Sequence, residues 1–194
     1  MAVTIIKNKD LIFDTEKYDV ILVGTNIYNL LSQGFQSKMA VKYPQIEEAN
    51  NQTPYADRRK FGKRLTIDGT PIISLMYIAG YPHKKRDVLD YNALEHCLQT
   101  ANQEFKGKKV ASTFLGTSPF DGNSQDKERC MSIIENSTPD IDLTIYDYIQ
   151  LNRRVEIAQH LKKFNVYKKK RDWAKYYELV RNKKKIIASL FLRH

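Results

Sequence analysis

The stretch Asp19-Val-Ile-Leu-Val-Gly24-Thr-Asn26-Ile-Tyr-Asn29-Leu-Leu-Ser-Gln-Gly34 decides the architecture. Residues Val20–Val23 are apolar without alternation, and Gly24 closes the run. A run apolar at every position predicts a strand covered on both faces, as in a parallel sheet flanked by helices. The polar, Asn-bearing loop after it leads into a helix predicted over Gln33–Tyr43. Its candidate inner face is Phe35, Met39 and Val41, and Pro44 ends it.

Outward from this unit the same alternation continues. Val3–Ile6 reads as a short strand, and Phe61–Asp68 and Pro71–Ile78 as two strands joined by the turn pair Asp68-Gly69, with Asn50–Arg59 as polar loop. Leu89–Phe105 is a helix whose Leu89, Ala93, Leu94, Cys97, Leu98 and Ala101 share a face, with Gly107 just past its end. Lys109–Leu115 is a strand, Ser124–Glu135 a helix and Ile141–Tyr148 a final strand. Strands interleaved with helices predict a layered α/β domain over residues 1–149. Residues 150–194 differ: Gln150–Asn165 and Asp172–Phe191 read as two helices around Lys168-Lys-Lys-Arg171, a basic helical C-terminal extension.

Charge supports that division. The chain of 194 residues carries a net charge of +10. Residues 1–150 hold 18 Lys+Arg and 19 Asp+Glu, so 18 − 19 gives −1; residues 151–194 hold 14 and 3, so 14 − 3 gives +11. The basic character therefore belongs to the tail and excludes a body-wide nucleic-acid surface. No apolar stretch approaches the roughly 20 residues of a bilayer span. Met1–Lys7 lacks a signal-like core, so neither membrane association nor a secretory signal is expected. Cys97 and Cys130 read as buried thiols of a reduced compartment, hence a cytoplasmic protein. His83, His96, His160 and His194 lack metal-ligand spacing, so no metal and no cofactor is expected.

Ligands of open α/β sheets bind where strands end in loops. Two loops qualify: Gly24–Phe35, with Asn26, Asn29 and Gly34 at a helix start, and Leu115–Asn123, with Gly116, Thr117, Ser118, Phe120 and Asp121. Free backbone N–H groups at such turns suit a phosphate, and two loops together suit a diphosphate.

Together with Asp10-Leu-Ile-Phe-Asp14, Tyr43-Pro44, Asp90-Tyr-Asn-Ala-Leu94 and Phe105-Lys-Gly-Lys-Lys109, these segments resemble a macro domain over about residues 1–148. The resemblance implies a three-layer α/β/α sandwich with a mixed central sheet and recognition of ADP-ribose, in some members with hydrolysis of ADP-ribosyl links. It places Asp10 at the adenine amino group, and Asn26 and Asn29 at the distal ribose. The 32–36 segment with Gly34, and Gly116–Ser118, would lie around the diphosphate, and Phe120 on the ribose. As a hydrolase it would use Asn29, Asp121 and Lys84 (or Lys85). The first loop departs from the family's usual Gly-x-Gly-[Ile/Val]-Ala, reading Ser32-Gln33-Gly34-Phe35-Gln36, and Pro119 in the second donates no N–H.

Two readings compete. One is a macro-like domain recognising ADP-ribose, a related nucleotide or an ADP-ribosylated macromolecule, with weak hydrolysis left open. The alternative is a non-catalytic assembly protein with a degenerate macro fold. The spelling is similar to macro-like proteins of bacterial viruses, and a phage virion head–tail ring component, oligomeric through its tail, is the example. Residues 150–194 would dock a protein partner or the chain's own subunits, and Trp173, Tyr176 and Tyr177 among lysines suit nucleic acid.

Overall fold

The computed structural model describes residues 3–31, 34–80, 89–115 and 124–147. The expected tail helices lie outside the described residues. The strands are β1 (Thr4–Lys7), β2 (Val20–Asn26), β3 (Arg64–Ile67), β4 (Ile72–Ala79), β5 (Lys109–Thr113) and β6 (Asp142–Asp147). The helices are α1 (Gly34–Lys42), α2 (Gln45–Asn51), α3 (Tyr91–Glu104) and α4 (Ser124–Ser137). The strands form one sheet in the order β1-β6-β5-β2-β4-β3, parallel throughout except for β3, which runs antiparallel to β4. The sheet is mixed, as expected.

The uninterrupted apolar run sits in the middle. Val20, Ile21 and Leu22 are completely buried, and β2 pairs with β4 on one side and β5 on the other. Period-two alternation sends Val20 and Leu22 into a core with Leu94, Leu98 and Ala101 of α3 and Cys130 and Ile134 of α4. Ile21 and Val23 enter a second core with Leu11, Met39 of α1 and Ile46 of α2. Helices thus cover both faces, which makes the three-layer α/β/α sandwich. Gly24 belongs to this packing: a Cβ there would lie 2.9 Å from Ile78 Cδ1 and 3.3 Å from Leu115 Cδ2.

Three local expectations are corrected. The polar segment from Asn50 is not all loop: Asn50 and Asn51 end α2, and Arg58–Lys60 form a short 3-10 helix. Helix α2 escapes a periodicity reading because only Ile46 and Asn50, four residues apart, are buried in it. Pro44, which stops α1, also stands at the N-cap of α2. Val41 is 81% exposed, so the inner face of α1 rests on Met39 with Phe35 partly buried. Strand β3 begins at Arg64 rather than Phe61, because Gly62 turns the chain with φ +77°.

Leu22→Ala removes a fully buried side chain between β4 and β5, and is expected to cost about 2–5 kcal/mol. Val41→Ser, on the exposed side of α1, should stay within about 0.5 kcal/mol. Urea unfolding of both variants checks the pair.

Candidate functional site

The chain order reverses at β2, the kind of point at which open α/β sheets form a crevice. From β2 it passes through α1 and α2 to β3 and β4 on one side, then crosses to β5 and β6 on the other. Ligands of such sheets sit beyond the carboxyl ends of the strands at this reversal, here between β2 and β5.

Asp10 is held next to the helix that follows β2. It caps a 3-10 helix over Leu11–Phe13, accepting from Ile12 N at 3.2 Å, and its other carboxylate oxygen pairs with Lys38 of α1. Lys38 lies one turn beyond Gly34, so the pair ties the segment after β1 to the first turns of α1. Just behind, Asp14 anchors the same segment. Its side chain is almost enclosed, pairs with Lys17 at 2.8 Å and with Lys9, and accepts from Tyr146 Oη at 2.9 Å. Lys17, then Lys9, hold its carboxyl well below the usual carboxylate range, against burial. Burial pushes the Tyr146 hydroxyl up, and that hydroxyl also meets Tyr18 Oη at 2.9 Å.

The loop after β2 is shaped by its two asparagines. Asn26 accepts from Tyr28 N at 3.0 Å and Leu30 N at 3.3 Å, and donates to Leu30 O at 2.7 Å. Asn29 takes the left-handed conformation, φ +57°, which Asn tolerates better than most residues. Its amide donates to Thr53 O at 2.9 Å, and its carbonyl accepts from Thr53 Oγ1 at 3.1 Å and from Lys60 Nζ. Gly34 opens α1 with φ +62°, and a Cβ there would meet nothing within 4 Å, so backbone conformation rather than space asks for glycine.

The described residues thus bring Asp10 and the start of α1 together and place Asn26 and Asn29 in the intervening loop. Ser32 and Gln33, Lys84 and Lys85, and the loop with Gly116, Thr117, Ser118, Phe120 and Asp121 lie outside the described residues. Lys38, Tyr146 and the Asn29–Thr53–Lys60 cluster are not visible in the motif pattern, and Asp14 appears there only as the end of the Asp10–Asp14 segment. Both cysteines are buried and neither is in a disulfide, and burial pushes the Cys97 thiol up to about 12, against thiolate formation. His96 Nδ1 faces Gly62 O at 2.9 Å. Among the described residues there is no group of three His, Cys, Asp or Glu suited to a metal, and no helix long and apolar enough to cross a membrane.

No protein-family model and no curated protein matches the chain by sequence. Solved structures do match by shape. The macrodomain of Thermus aquaticus DarG superposes with TM-score 0.57 at 12% identity, covering 75% of this chain and 99% of that one. The fold is that of a macrodomain. A Thermosipho africanus DarTG in complex with ADP-ribose matches at TM-score 0.55 and 14% identity, over 74% of this chain and 41% of that one. The Trypanosoma brucei macrodomain in complex with ADP gives 0.54 and 10%, over 76% and 64%.

In this macrodomain fold the Asp14 cluster secures the segment that carries Asp10. A carboxyl whose folded pKa is depressed stabilises the protein above its unfolded value of about 3.9, and that stability is lost as pH falls through the folded value. Asp14→Asn is therefore expected to be less stable at neutral pH. It should also lose less stability than wild type between about pH 5 and pH 2. Urea midpoints measured across that range read the difference.

Proposed function

We propose that the macrodomain-fold body recognises ADP-ribose, or a nucleotide sharing its ADP moiety, at the crevice between β2 and β5. The observation that carries this reading is Asp10, a carboxylate tied through Lys38 to the start of α1, at the point where the sheet reverses direction. The carboxylate is an acceptor for the exocyclic amine of adenine, and the N-terminus of α1 is suited to phosphate oxygens. That neighbours of the same fold are held with ADP-ribose and with ADP supports the same class of ligand. Gly116, Thr117 and Ser118 would complete the diphosphate contacts and Phe120 the ribose contact. Asn26 and Asn29 would act by fixing the loop against the distal ribose.

Hydrolysis is the finer part of the proposal. Asp121 would stabilise positive charge at the sugar carbon or activate water, with Lys84 and Asn29 beside it. The second reading, a non-catalytic assembly protein with a basic docking tail, is favoured by the commitment of both loop amides to the protein's own groups.

Calorimetry of the full chain with ADP-ribose tests recognition. Saturable heat is expected, and Asp10→Ala should weaken binding about tenfold or more by removing a charged acceptor. Absence of both heat and thermal shift at millimolar ligand overturns it. Hydrolysis of an ADP-ribosylated substrate should fall in Asp121→Ala or Asn29→Ala if the chain is an enzyme. A chain ending at residue 149 should keep nucleotide affinity under the first reading; lost assembly without any nucleotide affinity supports the second.

A further inference from the structure

A cleft lies beside the edge strand β3 and Tyr77 of β4. It has a volume of about 360 Å³, and its walls include Pro54, Leu65 and Tyr77, the cations Lys60 and Lys63, and the Asp57–Arg59 pair. Volumes of this order hold small organic ligands.

Lys60 is 5% exposed, yet among the described residues no carboxylate lies within ion-pair distance of its ammonium. It is held by neutral groups only. Nζ donates to Thr53 Oγ1 at 2.7 Å and to Asn29 Oδ1, and stands 4.1 Å from the centre of the Tyr77 ring. Its third bond, to Ile27 O, is stretched to 3.4 Å. The acid nearest in sequence, Asp57, is claimed by Arg59, whose Nε reaches both carboxylate oxygens at 2.9 and 3.0 Å. Burial pulls the Lys60 amine below its ordinary value, and the charge of Asp57 offsets this only in part. A buried charge lacking an opposite charge costs free energy that a ligand anion would recover. Lys63, exposed and free of any ion pair among the described residues, is the second cation at the opening.

We propose that this cleft binds a small monocarboxylate with an apolar or aromatic body, its carboxylate taking the loosely held proton of Lys60 and its body lying against Pro54, Leu65 and Tyr77. Because Arg59 is paired with Asp57 and Arg64 with Glu104, the charge left over suits a monoanion with a hydrophobic body rather than a compact, strongly hydrated dianion. The cleft adjoins the β2–α1 loop through the Lys60–Asn29 bond, but its lining comes from residues 53–65 and Tyr77.

Benzoate is the probe and inorganic phosphate the comparison, each titrated into the full-length ¹⁵N-labelled chain. Saturable benzoate shifts are expected at the amides of Thr53, Lys60, Lys63 and Leu65, with phosphate about tenfold weaker or more. Lys60→Met should weaken benzoate about tenfold or more by removing a charged hydrogen bond. Lys63→Gln, at an exposed position that folding does not depend on, should weaken it about threefold, as a rim charge does. Benzoate shifts that do not saturate by tens of millimolar, phosphate binding as well as benzoate, or unchanged benzoate affinity in Lys63→Gln overturns the proposal. So does displacement of benzoate by ADP-ribose, which would merge the cleft with the nucleotide site. A chain that takes benzoate here but no ADP-ribose sinks only the nucleotide reading.

Discussion

Everything in this fold depends on burying β2 on both faces at once. A strand with Val20, Ile21 and Leu22 fully enclosed needs hydrogen-bonding partners on both edges and apolar cover above and below. The sheet supplies the first through β4 and β5, and the helices supply the second through Leu94, Leu98, Met39 and Ile46. A central strand fixed this tightly makes a precise platform for the loop that leaves it, while chain reversal on either side is where such sheets form a crevice, at that same end. Stability and site therefore have a common origin.

The polar residues near the platform divide their work between shaping and presenting. Asn26 and Asn29 spend their side chains on Leu30, Thr53 and Lys60, so the β2–α1 loop is held by its own amides. Releasing Asn29 would leave part-buried groups at Thr53 and Lys60 unpaired, at about 1–3 kcal/mol each, whereas the Asn26–Leu30 bonds are exposed. Asp10 is different. Its partner Lys38 is 36% exposed along its side chain, so water can take over when the carboxylate changes partner. Ligand recognition at modest cost is available at Asp10, at Asn26 and at backbone N–H groups, less so at Asn29.

Periodicity made part of the fold legible in the sequence. The uninterrupted run Val20–Val23 announced a doubly covered strand, and the spacing of Leu94, Cys97, Leu98 and Ala101 announced the face of α3. Helix α2 stayed hidden because its burial rests on two residues and its boundary coincides with the proline that ended α1. The motif reading singled out Asn26 and Gly34 because they flank one loop, while Asp10 entered through the resemblance to the macro-domain family. It did not find Tyr146 behind Asp14, 132 residues away, or Lys60 beneath Asn29, 31 residues away. Pairings over such distances are set by sheet order and strand register. A single sequence gives neither.

The split of charge bears on both concavities. With the body at −1 and the tail at +11, affinity of the body for an anion cannot rest on net charge. At physiological ionic strength, fields beyond about 8 Å are largely screened, so only cations close to the ligand count. Within the body most such cations are already answered: Lys38 by Asp10, Lys42 by Glu16, Arg59 by Asp57, Arg64 by Glu104 and Lys127 by Asp147. A near-neutral domain that buries Lys60 among neutral partners, at a cleft whose carboxylate, Asp57, is already paired with Arg59, concentrates positive charge there. That concentration, rather than the high overall isoelectric point, gives the body local anion chemistry at Lys60.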